Sequence, residues 1–586
     1  MTDPRTVSAA SDPHLHLDLR AASAHLVTVE LTVQPSQPTL RVALPAWTPG
    51  SYLIRDYVRQ LEALTASQGG ISIPLRRMDV ASWQAELPEL TPVTLSYRLL
   101  APELSVRTSH LNSDHGFLCL AGVVLEVEGQ RWRPHRLCLS LPESWQAHLP
   151  LAPEPDGSWV ARDFDTLIDT PIEAGPHRSH PFSVGGVPHR WVSWGTTLSG
   201  EDPLEADPEL LPDVARVCET CCRLMGEQTP AGSNYLFVLH LTENGYGGLE
   251  HDHSSVLQYG RRRLAKPDGR RKLLQLVAHE YLHQWNVRRL RPAELVPYVY
   301  GQPAIVPTLW FAEGVTSYLD QLLPLVAGCS TEAELLEDLG VELSRYRQSP
   351  GRALQSLRES GEEAWVKLYK PDAYAINSQV SYYLKGAVLA LVLDLHLRRH
   401  GSGLPVVLRL LWRRLGRVGR GYREADLLEV FAAEAPDLAQ LLPQWLQGVE
   451  DPDLDGYLAD VGLVLQPHMG LEPWLGWQLE PHPGGTLQLQ RVLRHGPAEC
   501  AGLMVGDELV AVAGWRLQRI EDLAPVLAAQ RSLDALEVHF ARDGRLRRTA
   551  LHPTAPRVER WTLESAVAVS PEALEQRRRW LSLETV

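Results

Sequence analysis

The sequence predicts a multidomain α+β protein, and three observations support this prediction. The chain has 586 residues, which is too long for a single hydrophobic core. Hydrophobic residues make up 44% and charged residues 22%, the mixture of an ordinary globular protein. Strand patterns dominate the first 175 residues or so, helical patterns fill the middle, and short strands return near residue 470.

Residues 1–176 predict an N-terminal antiparallel β-domain. Leu26–Val33 and Thr39–Leu44 alternate in side-chain character, and prolines and glycines separate the later strand-like runs. Within this domain, Leu44–Asp56 reads LPAWTPGSYLIRD and is rich in aromatic and turn residues. This segment is either a plain surface turn or a loop that reaches over a neighbouring domain.

Residues 177–450 predict a second domain, mixed until about residue 270 and mainly helical after it. Tyr235–Leu241 is typical of a buried strand. Asn244–His253 follows with closely spaced glycines, which favour a sharp turn or a close approach of the backbone to a ligand. Val380–Leu395 is the most apolar of the helical segments.

The rest of the chain predicts a linker, a small β-domain and a helical tail. Residues 451–470 begin with DPDLDG, which indicates a linker. Residues 471–555 return to short strands, and residues 556–586 end in a helix that starts at Ser570 with proline next. If the linker prediction holds, a protein that ends near Val449 should keep the chemistry of the second domain.

A candidate metal site lies in the predicted helix Lys272–Leu290. This helix carries His279, Glu280 and His283 in the pattern HExxH. On an α-helix, residues four apart lie about 40° apart around the axis and roughly 6 Å apart along it. Both imidazoles can therefore reach one metal ion, with Glu280 beside them to carry a proton. The alternative is a solvent-facing helix with two histidines at this spacing by chance.

A third metal ligand must come from elsewhere, because a catalytic zinc site takes three protein ligands and keeps one open position. The candidate is Glu313 in Trp310–Gly314, WFAEG, which begins another apolar segment of helical pattern. The 29 residues between His283 and Glu313 contain several prolines, so an extended loop is expected there.

Charge and composition exclude several partner classes and suggest a compartment. The net charge of −15 disfavours nucleic acid or an anionic membrane as a partner. The first twenty residues contain no apolar core of signal-peptide length, and we find no uninterrupted apolar run that could span a bilayer. We therefore expect a cytoplasmic protein that binds neither nucleic acid nor membrane.

The cysteines give no clear metal or disulfide pattern. There are seven, an odd number, and only Cys218, Cys221 and Cys222 are closely spaced. Since no second pair of cysteines or histidines lies at a matching distance, we interpret them as free thiols.

The HExxH pattern followed by WFAEG resembles the gluzincin metallopeptidases, particularly the glycyl aminopeptidase family, whose members often carry a PDZ domain. Further matches occur in the expected order along the chain. They are Leu44–Asp56 (the family's N-terminal β-domain signature), Gly247–His251 (its exopeptidase loop), His283–Pro292 (the extension of the metal helix) and residues 496–514 (a bacterial PDZ core). The resemblance implies a thermolysin-like catalytic domain at 177–450 and a PDZ domain at 471–555.

The resemblance also implies roles for individual residues. One zinc ion per chain would be bound by His279, His283 and Glu313, Glu280 would be the general base, Glu250 with Gly247 and Gly248 would bind the substrate's free amino group, and Tyr383 would contact the tetrahedral intermediate. Two departures from the family pattern concern this site. The 29-residue gap before Glu313 is longer than usual, and Ser317 stands where some gluzincins have an acidic residue. What orients the two histidines is therefore open.

Three further residues near the site are candidates for catalytic or metal-binding roles. Tyr382 is the rival of Tyr383, but the two should point about 100° apart on a helix. His251 and His253 could form a second metal pair; their one-residue separation favours a supporting role instead, and they are left unassigned.

The function implied by the resemblance is a zinc aminopeptidase. It would act on peptides with a free N-terminus and prefer small first residues such as Gly or Ala. One alternative is a zinc endopeptidase, and another is a PDZ-based peptide-binding scaffold whose peptidase site has decayed. C-terminal peptide tails would bind at the loop Leu475, Gly476 and Trp477, and the chain's own Leu583–Val586 could occupy the same groove.

Overall fold

The computed structural model describes residues 12–529 and 533–584. The chain divides into two compact units. The first contains Met1–Ala304, Ala327–Cys329 and Trp412–Tyr422, and the second contains Ile305–Val326, Ser330–Leu411 and Arg423–Val586.

The first unit begins with a β-domain. Its elements are β1 (His14–Asp18), β2 (Leu26–Val33), β3 (Thr39–Ala43), β4 (Leu61–Gln68), β5 (Ile71–Ile73), β6 (Arg76–Arg77), β7 (Ser82–Glu86), β8 (Val93–Leu100), β9 (Pro102–Ser105), β10 (Thr108–Leu111), β11 (Gly116–Leu118), β12 (Glu126–Val127), β13 (His135–Ser140), β14 (Gln146–His148), β15 (Trp159–Ala161), helix α1 (Phe164–Ile168) and β16 (Ile172–Gly175). Alternation in β2 buries Val27, Val29, Leu31 and Val33 on one face, as predicted.

These strands form sheets of order β15-β13-β1-β2-β8-β4-β5, β14-β16-β11-β10-β9 and β12-β3-β7-β6. The prediction of an antiparallel domain is correct for most pairs but wrong for β1 and β13, which pair in parallel. No hairpin joins these two strands, since most of the domain lies between them in sequence. Their relative direction was therefore not set by a local turn.

The first unit continues with a mixed sheet and the helix that carries His279 and Glu280. Its elements are β17 (Ser179–Val184), β18 (Val187–Trp194), α2 (Pro203–Ala206), α3 (Leu210–Leu224), β19 (Tyr235–Thr242), β20 (Tyr246–Glu250), β21 (Ser254–Gly260), α4 (Arg261–Leu264) and α5 (Gly269–Leu282). The strand order is β17-β18-β19-β21-β20, with β18, β19 and β21 parallel and β20 antiparallel at one edge. The buried strand predicted at Tyr235–Leu241 is confirmed. The predicted glycine turn is instead the edge strand β20.

The second unit contains most of the remaining helices. They are α6 (Val315–Val326), α7 (Glu332–Arg347), α8 (Leu357–Glu362), α9 (Tyr382–Arg399), α10 (Leu404–Arg414, whose last three residues fall in the first unit), α11 (Glu424–Glu434), α12 (Leu438–Gln447) and α13 (Leu454–Asp460). The stretch Ala375–Arg399 is long and apolar enough to cross a membrane, which corrects the expectation that no such segment exists. However, 83% of its apolar window is buried inside the protein, as in the core helix of a folded domain.

The C-terminal part of the second unit departs from the predicted linker, whereas the predicted tail helix with Ser570 as N-cap is present. Its elements are β22 (Leu463–Met469), β23 (Trp477–His482), β24 (Thr486–Val492), α14 (Pro497–Cys500), β25 (Glu508–Val512), β26 (Trp515–Arg516), α15 (Leu523–Ala529), β27 (Leu536–Arg542), β28 (Arg545–Leu551), β29 (Val558–Ser565) and α16 (Pro571–Leu581). Residues 451–470 contain α13 and β22, and β22 pairs with β29 across the whole strand. The acidic, proline-containing start suggested a linker, but the following apolar alternation forms a strand.

The β22–β29 pair and α16 pack on the helices of the second unit. The hydroxyl of Ser344 on α7 donates to the carbonyl of Trp561 on β29 over 2.9 Å. The fully buried indole of Trp580 on α16 donates to the hydroxyl of Tyr318 over 2.7 Å, and that hydroxyl donates to Asp394. These contacts make the C-terminal strand and helix part of the helical core.

The inserted module, residues 474–554, lies between β22 and β29 and is closed by a bridge from Trp474 to Thr554. Its sheet has the order β23-β24-β25-β27-β28, with β26 beside β25. Asn377, which precedes α9, binds the module. Its amide nitrogen donates to the carbonyl of Val492, and its amide oxygen accepts from the Arg494 N–H, both over 2.8 Å.

Candidate active site

Helix α5 carries His279 and Glu280 in its last turn, and His283 follows as the helix C-cap. The predicted helix to Leu290 is therefore too long, because residues 284–290 form turns. The N–H of His283 still donates to the carbonyl of His279 over 3.3 Å, so the helical spacing is kept. The two ring centroids lie 4.7 Å apart at 88°, which places both imidazoles on the same side.

The ring of His283 is oriented by a backbone carbonyl. Its Nδ1 lies 2.5 Å from the carbonyl oxygen of Asn286. Because a carbonyl can only accept, Nδ1 carries the proton and Nε2 keeps a lone pair for a metal. The sequence left the orientation of this ligand open, and a backbone contact of this kind has no residue-type signal that could reveal it.

The glycines of β20 let this edge strand approach Glu280. A Cβ atom at Gly248 would overlap the carboxylate of Glu280, so a side chain at this position would displace the carboxylate. The Gly248 carbonyl also accepts a hydrogen bond of 3.0 Å from the guanidinium of Arg107, on the turn between β9 and β10. Sequence reasoning missed Arg107, since it lies 141 positions away in the β-domain.

Glu250 ends β20 and is buried, with 4% of its surface exposed. Glu250, Glu280 and His283 each offer a ligand atom within 4.8 Å of the others. In the part of the chain that the structure describes, Oε1 of Glu250 has no hydrogen-bond partner. Glu250 on β20 and the predicted residues at the end of α5 therefore lie next to one another.

The segment Leu44–Asp56 reaches this point as well. Gly50 has φ +81°, and a Cβ atom there would lie 2.6 Å from each carboxylate oxygen of Glu250. Of the two interpretations of this segment, the loop that reaches over its neighbour is therefore correct. The role of Gly50 was not predicted, because only the fold brings it to Glu250.

A buried ionic network supports the loop after β20. His251 Nδ1 lies 3.0 Å from Asp169, and the guanidinium of Arg288 contacts Asp169 at 2.8 Å and Asp252 at 2.9 Å. Burial alone would raise the pKa of Asp252, but the Arg288 guanidinium keeps it below its ordinary value. His251 therefore belongs to a structural network, and it is not paired with His253 in any described group of metal ligands.

Glu313 lies in the second unit, in the π-helical turn Trp310–Gly314 that precedes α6. It is 2% exposed. A Cβ atom at Gly314 would lie 2.6 Å from the backbone of Gly386 on α9, so close packing fixes this turn. Single π-helical turns of this kind are frequent at functional sites.

Tyr382 and Tyr383 begin α9, after the N-cap Ser381. The hydroxyls of Tyr383 and Tyr369 lie 2.9 Å apart, and the hydroxyl of Tyr382 donates to that of Tyr369 over 3.2 Å. The two neighbouring rings stack with centroids 4.7 Å apart. The prediction that the two side chains point about 100° apart is therefore wrong, because both hydroxyls reach the hydroxyl of Tyr369. In the first turn of a helix, two long side chains can lean toward a shared partner.

The predicted peptide-binding loop of the inserted module is well ordered by its own backbone. Leu475 is a core residue whose carbonyl accepts from the Ala498 N–H. Gly476 has φ +75°, and Trp477 begins β23, the edge strand of the sheet. The part of the chain's own tail that the structure describes is held on α9, where the carbonyl of Glu584 accepts from Arg398. Thr585 and Val586 lie outside the described residues.

Two family models match this chain. Residues 14–176 match the Peptidase M61 N-terminal domain, and residues 272–389 match the M61 glycyl aminopeptidase. A comparison with curated protein sequences gives no match.

Solved structures are also similar. A crystal structure of an aminopeptidase N family protein from Idiomarina loihiensis has 29% identity and a TM-score of 0.90, and the match covers 97% of this chain and 100% of that chain. The M1 zinc metallopeptidase from Deinococcus radiodurans has 16% identity and a TM-score of 0.47, with 76% of this chain and 95% of that chain covered. The two family models and the end-to-end likeness to the Idiomarina structure support an aminopeptidase-type metallopeptidase that resembles the M61 peptidases.

Proposed function

We propose that this protein is a zinc-dependent aminopeptidase that removes small N-terminal residues such as Gly or Ala from peptides. The observation that carries the proposal is the environment of Glu250. Its carboxylate is buried beside Glu280 and His283, and Oε1 has no partner among residues 12–529 and 533–584. A buried carboxylate is costly unless it meets a cation, and the free α-ammonium group of a peptide is such a cation. The preference for small residues follows from the likeness to the M61 glycyl aminopeptidases.

The residues present fit one zinc ion. His279, His283 and Glu313 would hold it, since two neutral imidazoles and a carboxylate are a common donor set of catalytic zinc sites. The Nδ1–H of His283, fixed on the Asn286 carbonyl, leaves Nε2 as the ligand atom. When bound, zinc supplies a Lewis acid that makes water a nucleophile at neutral pH.

The chain's own groups would then carry the proton and the charge. Glu280 takes the proton of the attacking water and passes it to the departing amine. Glu250 binds the substrate ammonium, with the backbone of Gly247 and Gly248 beside it, so the first peptide bond is the one presented. The phenol of Tyr383 donates a hydrogen bond to the developing oxyanion, a role whose loss typically costs about 10²–10³ in turnover.

We further propose that the inserted module is a PDZ-like domain. The edge strand β23 would pair with an extended C-terminal tail, and the backbone of Leu475, Gly476 and Trp477 would receive the terminal carboxylate. Strand β23 at the sheet edge supports this proposal, as does the positive φ of Gly476 in the preceding loop.

The test compares Gly and Ala anilides that carry a free amine with their N-acetylated forms. The wild-type protein should hydrolyse only the free-amine substrates and lose this activity when a chelator is added. Glu250→Ala should raise KM for free-amine substrates and weaken the discrimination, because the ammonium loses its partner. Glu243→Ala, which changes an exposed glutamate just before β20, is the matched control.

Each outcome separates the alternatives. Unchanged discrimination in Glu250→Ala would favour the endopeptidase. His283→Ala should lose zinc and all activity, and full activity without zinc would overturn the metal assignment. A wild-type protein that binds peptide tails but no zinc would be a scaffold with a decayed site.

A further inference from the structure

A second cluster of metal-ligand side chains is buried in the first unit. Glu173 on β16 is 0% exposed and contacts three histidines from different elements. His115 Nδ1 and His177 Nε2 lie 2.8 and 2.9 Å from Oε1 of Glu173, and His240 Nε2 lies 2.8 Å from Oε2. His115 precedes β11, His177 follows β16, and His240 belongs to β19. None of these residues belongs to the proposed peptidase site.

Part of this cluster has the arrangement of a metal-ligand set. His115, Glu173 and His177 each offer one ligand atom, and these atoms all lie within 4.8 Å of one another. Two imidazole nitrogens and one carboxylate oxygen suit zinc and similar divalent transition metals. The ligand atoms come from chain segments before β11, on β16 and after β16, so the fold rather than one local motif brings them together.

Other side chains hold these three in place. The hydrogen bond from His240 to Oε2 of Glu173 leaves Oε1 facing the other two histidines. The indole of Trp194 stacks on the ring of His115 with centroids 4.0 Å apart and planes 14° apart. Metal ligands are commonly oriented by such outer contacts.

The charge of the cluster also needs compensation. A fully buried carboxylate is costly without a positive partner. Nε2 of His115 and Nδ1 of His240 are buried and have no partner in the described part of the chain. A divalent ion held by His115, Glu173 and His177 would supply the positive charge that the carboxylate needs.

We propose that His115, Glu173 and His177 form a second metal site, which takes zinc or a similar divalent transition-metal ion. His240 acts as a positioning residue for Glu173. Since β16 belongs to the N-terminal β-domain and β19 to the mixed sheet, the contact between Glu173 and His240 links the site to both parts of the first unit. The proposal is independent of the peptidase activity.

The test is the zinc content of the full-length protein, loaded with zinc alone, freed of excess metal and measured by mass spectrometry. Wild type should bind two ions per chain and His283→Ala one. His115→Gln combined with His177→Gln should also bind one, and its midpoint of thermal unfolding should no longer rise with zinc at the second site. His110→Gln, whose ring lies 5.1 Å from that of His115 but outside the ligand set, should keep both ions.

The wild type and His283→Ala leave the cluster intact, so they decide the matter even if the double variant does not fold. One ion in wild type and none in His283→Ala would overturn the second site and leave the proposed peptidase standing. One ion in both proteins would support the second site and contradict the catalytic zinc. Two ions that persist in the folded double variant would place the second ion elsewhere and overturn the inference.

Discussion

Tyr369 joins the hydroxyls of Tyr382 and Tyr383 into one hydrogen-bonded chain. Tyr382 donates to Tyr369, and the hydroxyls of Tyr369 and Tyr383 lie within hydrogen-bond distance of each other. If Tyr369 in turn donates to Tyr383, the proton of Tyr383 points away from Tyr369, and donors in series polarise one another. A chain of this direction would strengthen Tyr383 as a donor to the substrate.

We therefore expect Tyr369→Phe to lower kcat by several-fold to about tenfold, less than the 10²–10³ expected for Tyr383→Phe. Zinc content and KM should stay unchanged, because no ligand or substrate contact is removed. Steady-state kinetics of Tyr369→Phe, Tyr382→Phe and Tyr383→Phe check this order. A wild-type kcat in Tyr369→Phe beside an inactive Tyr383→Phe would show that the chain has no role.

Gly248→Ala should disable Glu280 without touching the metal. The added Cβ would lie 2.0 Å from Oε1 of Glu280, so the carboxylate must move. We expect turnover to fall by on the order of 10² while zinc is retained, since small displacements of a catalytic group cost about this much. Glu280→Gln, which keeps the shape and removes the base, should give a similar loss. Normal turnover in Gly248→Ala would contradict this prediction, because it would mean that Glu280 accommodates the added methyl group and still acts as the base.

The residues that the sequence revealed are those with a local pattern. His279, Glu280 and His283 follow from helical spacing, and the structure brings Glu280 and His283 together with Glu250. Gly50 and Arg107 had no such pattern, because each approaches β20 from a distant part of the β-domain. A sequence shows spacing along one element, but it does not show which backbone atoms of another element come within contact distance.

At the scale of elements, helix α5, which carries His279 and Glu280, is supported by a neutral histidine on β18. His189 Nδ1–H donates to the Val187 carbonyl, and the hydroxyl of Tyr281 on α5 lies 2.9 Å from Nε2. Burial lowers the pKa of His189 to about 4. Its ring therefore stays neutral in the folded protein at pH values where the unfolded chain already binds a proton.

The sign of the resulting pH effect follows from this difference. The contribution of neutral His189 to the stability of the folded protein is fully present above the unfolded pKa of about 6.5. This contribution is lost as the pH falls toward 4. One such group contributes up to about 1.4 kcal/mol per pH unit in this window. We expect His189→Gln to be less stable at pH 7 but to lose less stability between pH 6.5 and 4. Urea unfolding at several pH values checks this, and equal slopes in both proteins would contradict it.

The edge strand β20 is an element whose conformation the sequence pattern predicted wrongly. Closely spaced glycines predicted a turn, since glycine is the usual residue of sharp turns. In the structure Gly247 and Gly248 continue a strand, and Gly248 lies so close to Glu280 that a side chain there would collide with it. A tertiary contact decided the conformation here, and local propensity could not.

For the molecule as a whole, the C-terminal region belongs to the second unit's core. The sequence suggested that a protein ending near Val449 keeps its chemistry. Such a protein would lack β22, β29 and α16, including the buried indole of Trp580, and removal of a buried Trp side chain alone costs about 3–5 kcal/mol. We expect this truncated protein to be unfolded or aggregated, as measured by circular dichroism and size exclusion.

Removing only the inserted module should have a milder effect. The backbones of Trp474 and Thr554 exchange hydrogen bonds of 2.9 and 3.1 Å, so a short Gly-Ser turn can replace residues 475–553. This protein should stay folded, bind zinc and cleave small anilides, while losing affinity for peptide tails. If it folds with bound zinc but lacks small-substrate activity, the module shapes the catalytic cleft, and the Asn377 contacts are where that effect would act.

The buried pair of Tyr318 and Trp580 also sets an order of events during synthesis. The two residues are 262 positions apart. At about 5–20 residues per second, a ribosome needs roughly 13–50 s to make the chain between them. During that time the apolar surface of the nascent helix α6 stays uncovered, because the Trp580 indole that packs on it has not yet been made. In the N-terminal β-domain the strands pair with one another within residues 14–175. These pairs therefore need no partner from the C-terminal end of the chain.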